Sequence, residues 1–194
     1  PREVEDLQMY SGVFTRTMTH TKLLDTLEDV MGTDNILLHN NVATRKPAEN
    51  DTCRPPHQDH EHYAFKKHTP LAVLIHLDDT SVEEGSIAVY PGSHKLGPLK
   101  HAYTETGPNG HPYVDDKKFT LSGATPLECK KGEVFVYSYL TIHGVLPTST
   151  KPIRFVVFHM KAADDEPLED VKQSHCYNLV LRGKSVIGGC KNEK

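Results

Sequence analysis

Leu23, Leu24, Leu27, Val30 and Met31 recur at helical spacing, and Gly32 follows as a stop. That pattern predicts a helix over 20–31 with one buried face. Beyond it the period shortens. Residues 36–42 read as a strand, and the apolar run 70–77 (PLAVLIHL) reads as a buried one. Residues 86–90 form a further strand, ended by Pro91-Gly92. The turn Lys130-Lys131-Gly132-Glu133 leads into a strand over 134–139, and the β-branched and aromatic run Ile153–Met160 is the clearest strand of all. Between these lie a polar, Pro-containing loop at 44–56, a turn at 78–85 and a long excursion at 97–125 rich in Gly, Pro, Thr, Lys and His. The tail from 164 is weakly patterned. Short strands with Gly/Pro turns and one early helix predict a mainly β fold, a double-stranded β-helix (jelly roll) with flanking helices. No repeat or linker divides the chain, so 1–194 is expected to be one domain.

Composition narrows the function classes. The chain has 194 residues, enough for a real core, with 37% hydrophobic and 25% charged positions. A net charge of −4 gives no basic footprint for nucleic acid. No apolar run approaches the roughly 18 residues of a membrane span. Cys53, Cys129, Cys176 and Cys190 form no C-x-x-C pair, so a zinc ribbon is not expected. Free thiols in a reducing compartment are expected, hence an intracellular protein, cytoplasmic or peroxisomal. The chain opens on Pro1 rather than Met, and its N-terminal section is expected to be incomplete. Oligomeric state is not legible.

Thirteen histidines are many for this length. Two of them stand out with one carboxylate: His57 and Asp59 in Pro56-His57-Gln58-Asp59, and His143 in Ile142-His143-Gly144-Val145. His-x-Asp followed much later by one His is the ligand set of a two-histidine, one-carboxylate iron site, which leaves one face of an octahedron open. His57 and Asp59 are two apart, so in extended chain they point to the same side. Arg154 follows on the strand after His143. A strand arginine facing a core needs a carboxylate, and 2-oxoglutarate would supply one; a protein salt bridge is the alternative. His60 and His62 crowd the first pair, but no Glu follows at the spacing a cupin-like site needs. His94, His101, His111, His159 and His175 have no ligand spacing and read as ordinary histidines.

These residues together resemble the phytanoyl-CoA dioxygenase family. The segment 53–63 (CRPPHQDHEHY) is similar to that family's first metal segment, and 84–94 (EGSIAVYPGSH) to its glycine- and proline-bearing signature. Lys131-Gly132-Glu133, His143-Gly144 and Arg154 resemble the second metal and cosubstrate segment. The resemblance runs from about 36 to 162. It implies Fe(II) on His57, Asp59 and His143, 2-oxoglutarate on Arg154, and contact of Gln58 with the cosubstrate, with ascorbate as reductant. Val145 stands where the family often has a hydroxyl, so a cosubstrate hydrogen bond is either missing or comes from Thr141 or Tyr139. The implied reaction is hydroxylation of an unactivated C–H bond in a small molecule or acyl-CoA thioester; the alternative is a catalytically silent metal- or ligand-binding jelly roll. Lys66, Lys67 and His68 would suit an anionic substrate, although a solvated positive turn explains them more simply.

Overall fold

A computed structural model describes residues 2–48, 53–104, 110–147, 151–169 and 174–184. Residues 105–109 of the excursion and Cys190 lie outside them. The expected helix is α2 (Thr21–Met31), closed by Gly32 at φ 71°, a left-handed turn that glycine takes without strain. A helix that the sequence pattern did not announce, α1 (Gly12–Met18), precedes it, capped by the Ser11 side chain. Strand β1 is Arg2–Glu5 and β2 is Ile36–Lys46, longer than expected. Then come β3 (Arg54–His57), β4 (Leu71–His76), β5 (Ile87–Val89), β6 (Ala102–Tyr103), β7 (Pro112–Tyr113) and β8 (Thr125–Pro126). Finally there are β9 (Val134–Ser138), β10 (His143–Val145), β11 (Ile153–Ala162) and β12 (Val180–Arg182). The excursion therefore carries short pairings, and the tail returns one strand to the sheet.

Apart from the two-stranded pair β6-β7, the strands form two antiparallel sheets. The larger has the order β1-β2-β11-β4-β9, with β12 also on β2; the smaller has the order β3-β10-β5-β8. This is the double-sheet jelly roll that the pattern of short strands predicts. Strand β11 is hydrogen-bonded on both sides, to β2 and β4, and both its faces are covered, which is why it reads as a continuous apolar run. One face, with Val156, Phe158 and Met160, packs with Met18, Leu24 and Leu27 of the helices. The other, with Phe155 and Val157, packs between the sheets with Leu74, Ile87, Phe135, Tyr137 and Val145. Alternation along β11 thus assigns odd positions to the interior of the jelly roll and even positions to the helical layer. No helix among the described residues is long and apolar enough to cross a membrane.

Candidate metal centre

His57 ends β3 and His143 begins β10, and the two are directly opposed in the ladder, with ring centroids 4.4 Å apart. Opposed residues share a face. Gln58 is extended (φ −110°, ψ 139°), so Asp59 returns to the side of His57 before the chain closes into a 3-10 turn at Asp59–Glu61. The carboxylate then lies among imidazoles: its Oδ1 is 3.8 Å from His57 Nε2 and 3.5 Å from His143 Nε2. His57, Asp59 and His143 are all buried, and their ligand atoms lie within 4.8 Å of one another, so they could hold one ion.

Backbone carbonyls set the tautomers. His57 Nδ1 is 2.9 Å from Pro55 O and His143 Nδ1 is 3.0 Å from Thr141 O. A carbonyl only accepts, so each Nδ1 carries the proton and each Nε2 keeps its lone pair. His57 Nε2 is buried with no hydrogen-bond partner. Burial first, and then the neighbouring His143, push the His57 ring well below its ordinary range and keep it neutral, as a ligand must be. Burial alone would raise the Asp59 carboxyl; His143, His159 and His57 around it prevail and hold it well below the usual range. The unpartnered Nε2 of His57, the Nε2 of His143 and the Asp59 carboxylate, converging on one point, fit a divalent transition metal.

His159, which looks ordinary in the sequence, belongs to this centre. Its Nε2 is 3.4 Å from Asp59 Oδ2, and its Nδ1 is hydrogen-bonded to Asn40 Oδ1. Asp59 therefore turns one oxygen to His159 and the other to the two histidines. The available signal was strand parity, since His159 shares its face with Phe155 and Val157. His62 flanks His57 at 6.1 Å between ring centroids. Tyr137 approaches His143 at 5.1 Å and borders a cleft of about 630 Å³ along β9, whose walls include Val89, Leu127, Phe135 and Thr141.

Of the residues expected around the cosubstrate, Arg154, Gln58, Tyr139 and Thr141, Thr141 alone borders the cleft. Arg154 does not face the centre. It lies at an even position of β11, on the layer of Val156 and Phe158, with its side chain 57% exposed. There it makes a bidentate pair with Asp78, Nε to Oδ2 at 2.9 Å and Nη2 to Oδ1 at 2.6 Å. Gln58 points away from the centre, because His57 and Asp59 occupy the other side of the same extended stretch. Its Nε2 donates to Gly97 O and Leu140 O, and its Oε1 accepts from Leu99 N, so the amide ties down the 97–101 loop. Tyr139 is turned to His68 Nδ1 at 2.6 Å, whereas Thr141 borders the cleft. Lys66 and Lys67 pair with Glu166 and Asp164 and offer no unneutralised charge.

The chain matches the phytanoyl-CoA dioxygenase family over residues 2–156 and belongs to that family. It is 31% identical, over 194 residues, to a probable alpha-ketoglutarate-dependent hypophosphite dioxygenase of Stutzerimonas stutzeri, covering 96% of this chain and 66% of that protein. The structure is similar to the non-haem monooxygenase ThoJ (TM-score 0.77, 18% identity, 93% of this chain and 65% of that one). It is also similar to the epimerase SnoN, solved with Fe3+, alpha-ketoglutarate and nogalamycin RO (TM-score 0.71, 19% identity, 93% and 78%). At such identities these two likenesses speak for the fold alone. The chain spans just under two-thirds of the length of the Stutzerimonas relative and of ThoJ.

Proposed function

We propose that this chain carries the catalytic jelly roll of a non-haem iron(II)- and 2-oxoglutarate-dependent oxygenase, with His57, Asp59 and His143 as the metal ligands. The observation that carries the reading is the buried, unpartnered Nε2 of His57, aimed at a carboxylate and a second imidazole of the same tautomer. Family membership and the Stutzerimonas relative's name support it. His57, Asp59 and His143 would hold the iron(II), whose chemistry there would be oxidative decarboxylation of 2-oxoglutarate, to succinate and carbon dioxide, coupled to transfer of one oxygen atom of O2 to the substrate. The protein's part is to hold two neutral imidazoles and one carboxylate on one side and leave the other side open. His159 keeps the second carboxylate oxygen occupied, and the apolar inter-sheet residues Val157, Leu74 and Phe135 exclude water.

The substrate we favour is a small molecule that enters by the cleft beside Tyr137 and Thr141 and is hydroxylated. The Stutzerimonas relative is named for hypophosphite, itself small. A CoA thioester finds less support, since the lysines at 66 and 67 are neutralised.

Oxygen-free titration of the protein with Fe(II) and 2-oxoglutarate tests the reading through the weak visible charge-transfer absorption of the chelate. The parent is expected to develop the band and His143→Ala to lose it. With oxygen, ascorbate and a panel of small substrates, succinate should accumulate. A folded parent that binds no iron, or binds iron without 2-oxoglutarate, refutes the assignment.

A further inference from the structure

Behind the second oxygen of Asp59 a line of rings runs out of the centre. His159 Nε2 is 3.4 Å from Asp59 Oδ2. The His159 ring meets Tyr63 edge to face at 5.5 Å between centroids, and Tyr63 stacks on Tyr139 at 5.8 Å and 20°. Tyr139 passes the line to His68, its hydroxyl 2.6 Å from Nδ1. Tyr63 and Tyr139 are buried with Phe65 and Leu140 in a core cluster of their own. His68 is half-buried and borders the cleft. The line therefore begins at a metal ligand and ends at the cleft.

The two phenols on that line differ in one respect. A phenol gives up an electron readily only when its proton leaves with it, so a base must already be in place. Tyr63 has none: its hydroxyl is buried with no hydrogen-bond partner. Tyr139 has one. Phe65 N–H donates to its oxygen at 3.4 Å, and the phenolic proton is left for His68 Nδ1. His68 holds a positive φ of 56°, a conformation uncommon outside glycine, in the loop that brings its ring to Tyr139. Burial pushes the Tyr139 hydroxyl up to about 12, so at rest it keeps its proton. Tyr63 can thus pass an electron on but not hold the vacancy, whereas Tyr139 can hold it.

We propose that Tyr139, with His68 as its base and Tyr63 and His159 as its link, donates electrons to the iron centre when O2 is consumed without substrate. The inference rests on the iron and 2-oxoglutarate reading above and adds a protective reaction at that site. In it Tyr139 loses one electron to the centre and its phenolic proton to His68 Nδ1, which leaves a neutral phenoxyl radical. A soluble one-electron reductant of the ascorbate class, entering by the cleft, returns the electron, and His68 returns the proton. Two such rounds, with two protons from water, restore Fe(II) and convert the oxygen atom that no substrate accepts into water. In sum, 2-oxoglutarate, O2, two electrons and two protons give succinate, carbon dioxide and water. Without the relay that oxygen atom is left beside Tyr137, whose ring is 5.1 Å from His143.

The test mixes the oxygen-free protein, loaded with Fe(II) and 2-oxoglutarate, with O2 in the absence of substrate and reductant, and freezes it for EPR. The parent is expected to show a neutral tyrosyl radical, and Tyr139→Phe to lose it. His68→Gln should slow its appearance severalfold, and Tyr10→Phe, at an exposed ring, should leave it unchanged. Peptide mass spectrometry after repeated turnover without substrate gives a second readout. Tyr139→Phe should carry added oxygen on Tyr137 or Tyr63 severalfold more often than the parent, and ascorbate should protect the parent but not the variant. The visible band of the chelate confirms that each variant is loaded, and His68→Gln carries the test if Tyr139→Phe does not fold. A radical of undiminished yield in Tyr139→Phe, or a parent that consumes O2 and 2-oxoglutarate with no tyrosyl radical, overturns the inference. A parent that binds no iron, or iron without 2-oxoglutarate, refutes the underlying reading instead.

Discussion

His159 shows how a residue without motif spacing enters a site. Asn40 holds one side of its ring, and the other side faces Asp59 Oδ2 at 3.4 Å. Groups that orient a metal's ligands typically contribute 10–100-fold to affinity, so His159→Phe is expected to weaken Mn(II) binding by about that factor. Calorimetry checks it, and an unchanged affinity would make His159 a packing residue. His39 offers a stability measurement. It is buried against Tyr63, Phe65 and Tyr177, its Nδ1 has no partner, and burial lowers its pKa from 6.5 to about 3. In the unfolded chain this ring takes a proton below its ordinary pKa, while in the fold it does not until far lower. The unfolded state thus binds more protons in that window, and stability falls as pH falls from 6.5 toward 3. His39→Leu should remove about 2 kcal/mol of the loss between pH 7 and pH 5. Urea melts at the two pH values decide it, and equal losses in both proteins would contradict it.

At the scale of elements, Gly144 explains why the small residue follows the distal histidine. A Cβ there would lie 2.7 Å from Arg54 O and 2.7 Å from Leu121 Cδ2. The leucine can yield, but the Arg54 carbonyl belongs to the β3 backbone. Gly144→Ala should therefore push β3 off β10 and part His57 from His143, with Mn(II) affinity falling at least about tenfold. In β11, Phe158 is fully buried between the sheet and the helices. Phe158→Ala is expected to cost about 3–5 kcal/mol in urea unfolding. The same strand shows where linear reading stops. Its existence and length were plain from Ile153 to Met160, but a run apolar on both faces carries no parity. Spacing and the family resemblance therefore put Arg154 inside, with a protein salt bridge as the alternative, and pairing puts it with Val156 and Phe158, bound to Asp78.

For the molecule as a whole, the centre joins the two sheets: His57, Asp59 and His143 come from the smaller sheet and its end, and His159 from the larger. An ion that binds only this arrangement should stabilise the entire fold. At a hundredfold excess over its Kd the gain is about 2.7 kcal/mol. For a chain of this size that raises Tm by about 5–10 °C. Thermal unfolding with and without Mn(II) measures it, and His143→Ala should show no rise. A rise retained in that variant would place the ion elsewhere.

The sequence alone determined the class of fold, most strand positions, and the convergence of His57, Asp59 and His143. Local alternation carries that information: Gln58 between two ligands forces them to one side, and Gly and Pro mark the turns. It could not determine which cations face inward. That depended on the parity of β11, which leaves Arg154 with Asp78. Nor could it single out His159, whose importance lies wholly in its distance from Asp59. Each of these is a matter of register between strands far apart in the chain. Register is set by cross-strand pairing and by packing of both faces, and no single segment contains it.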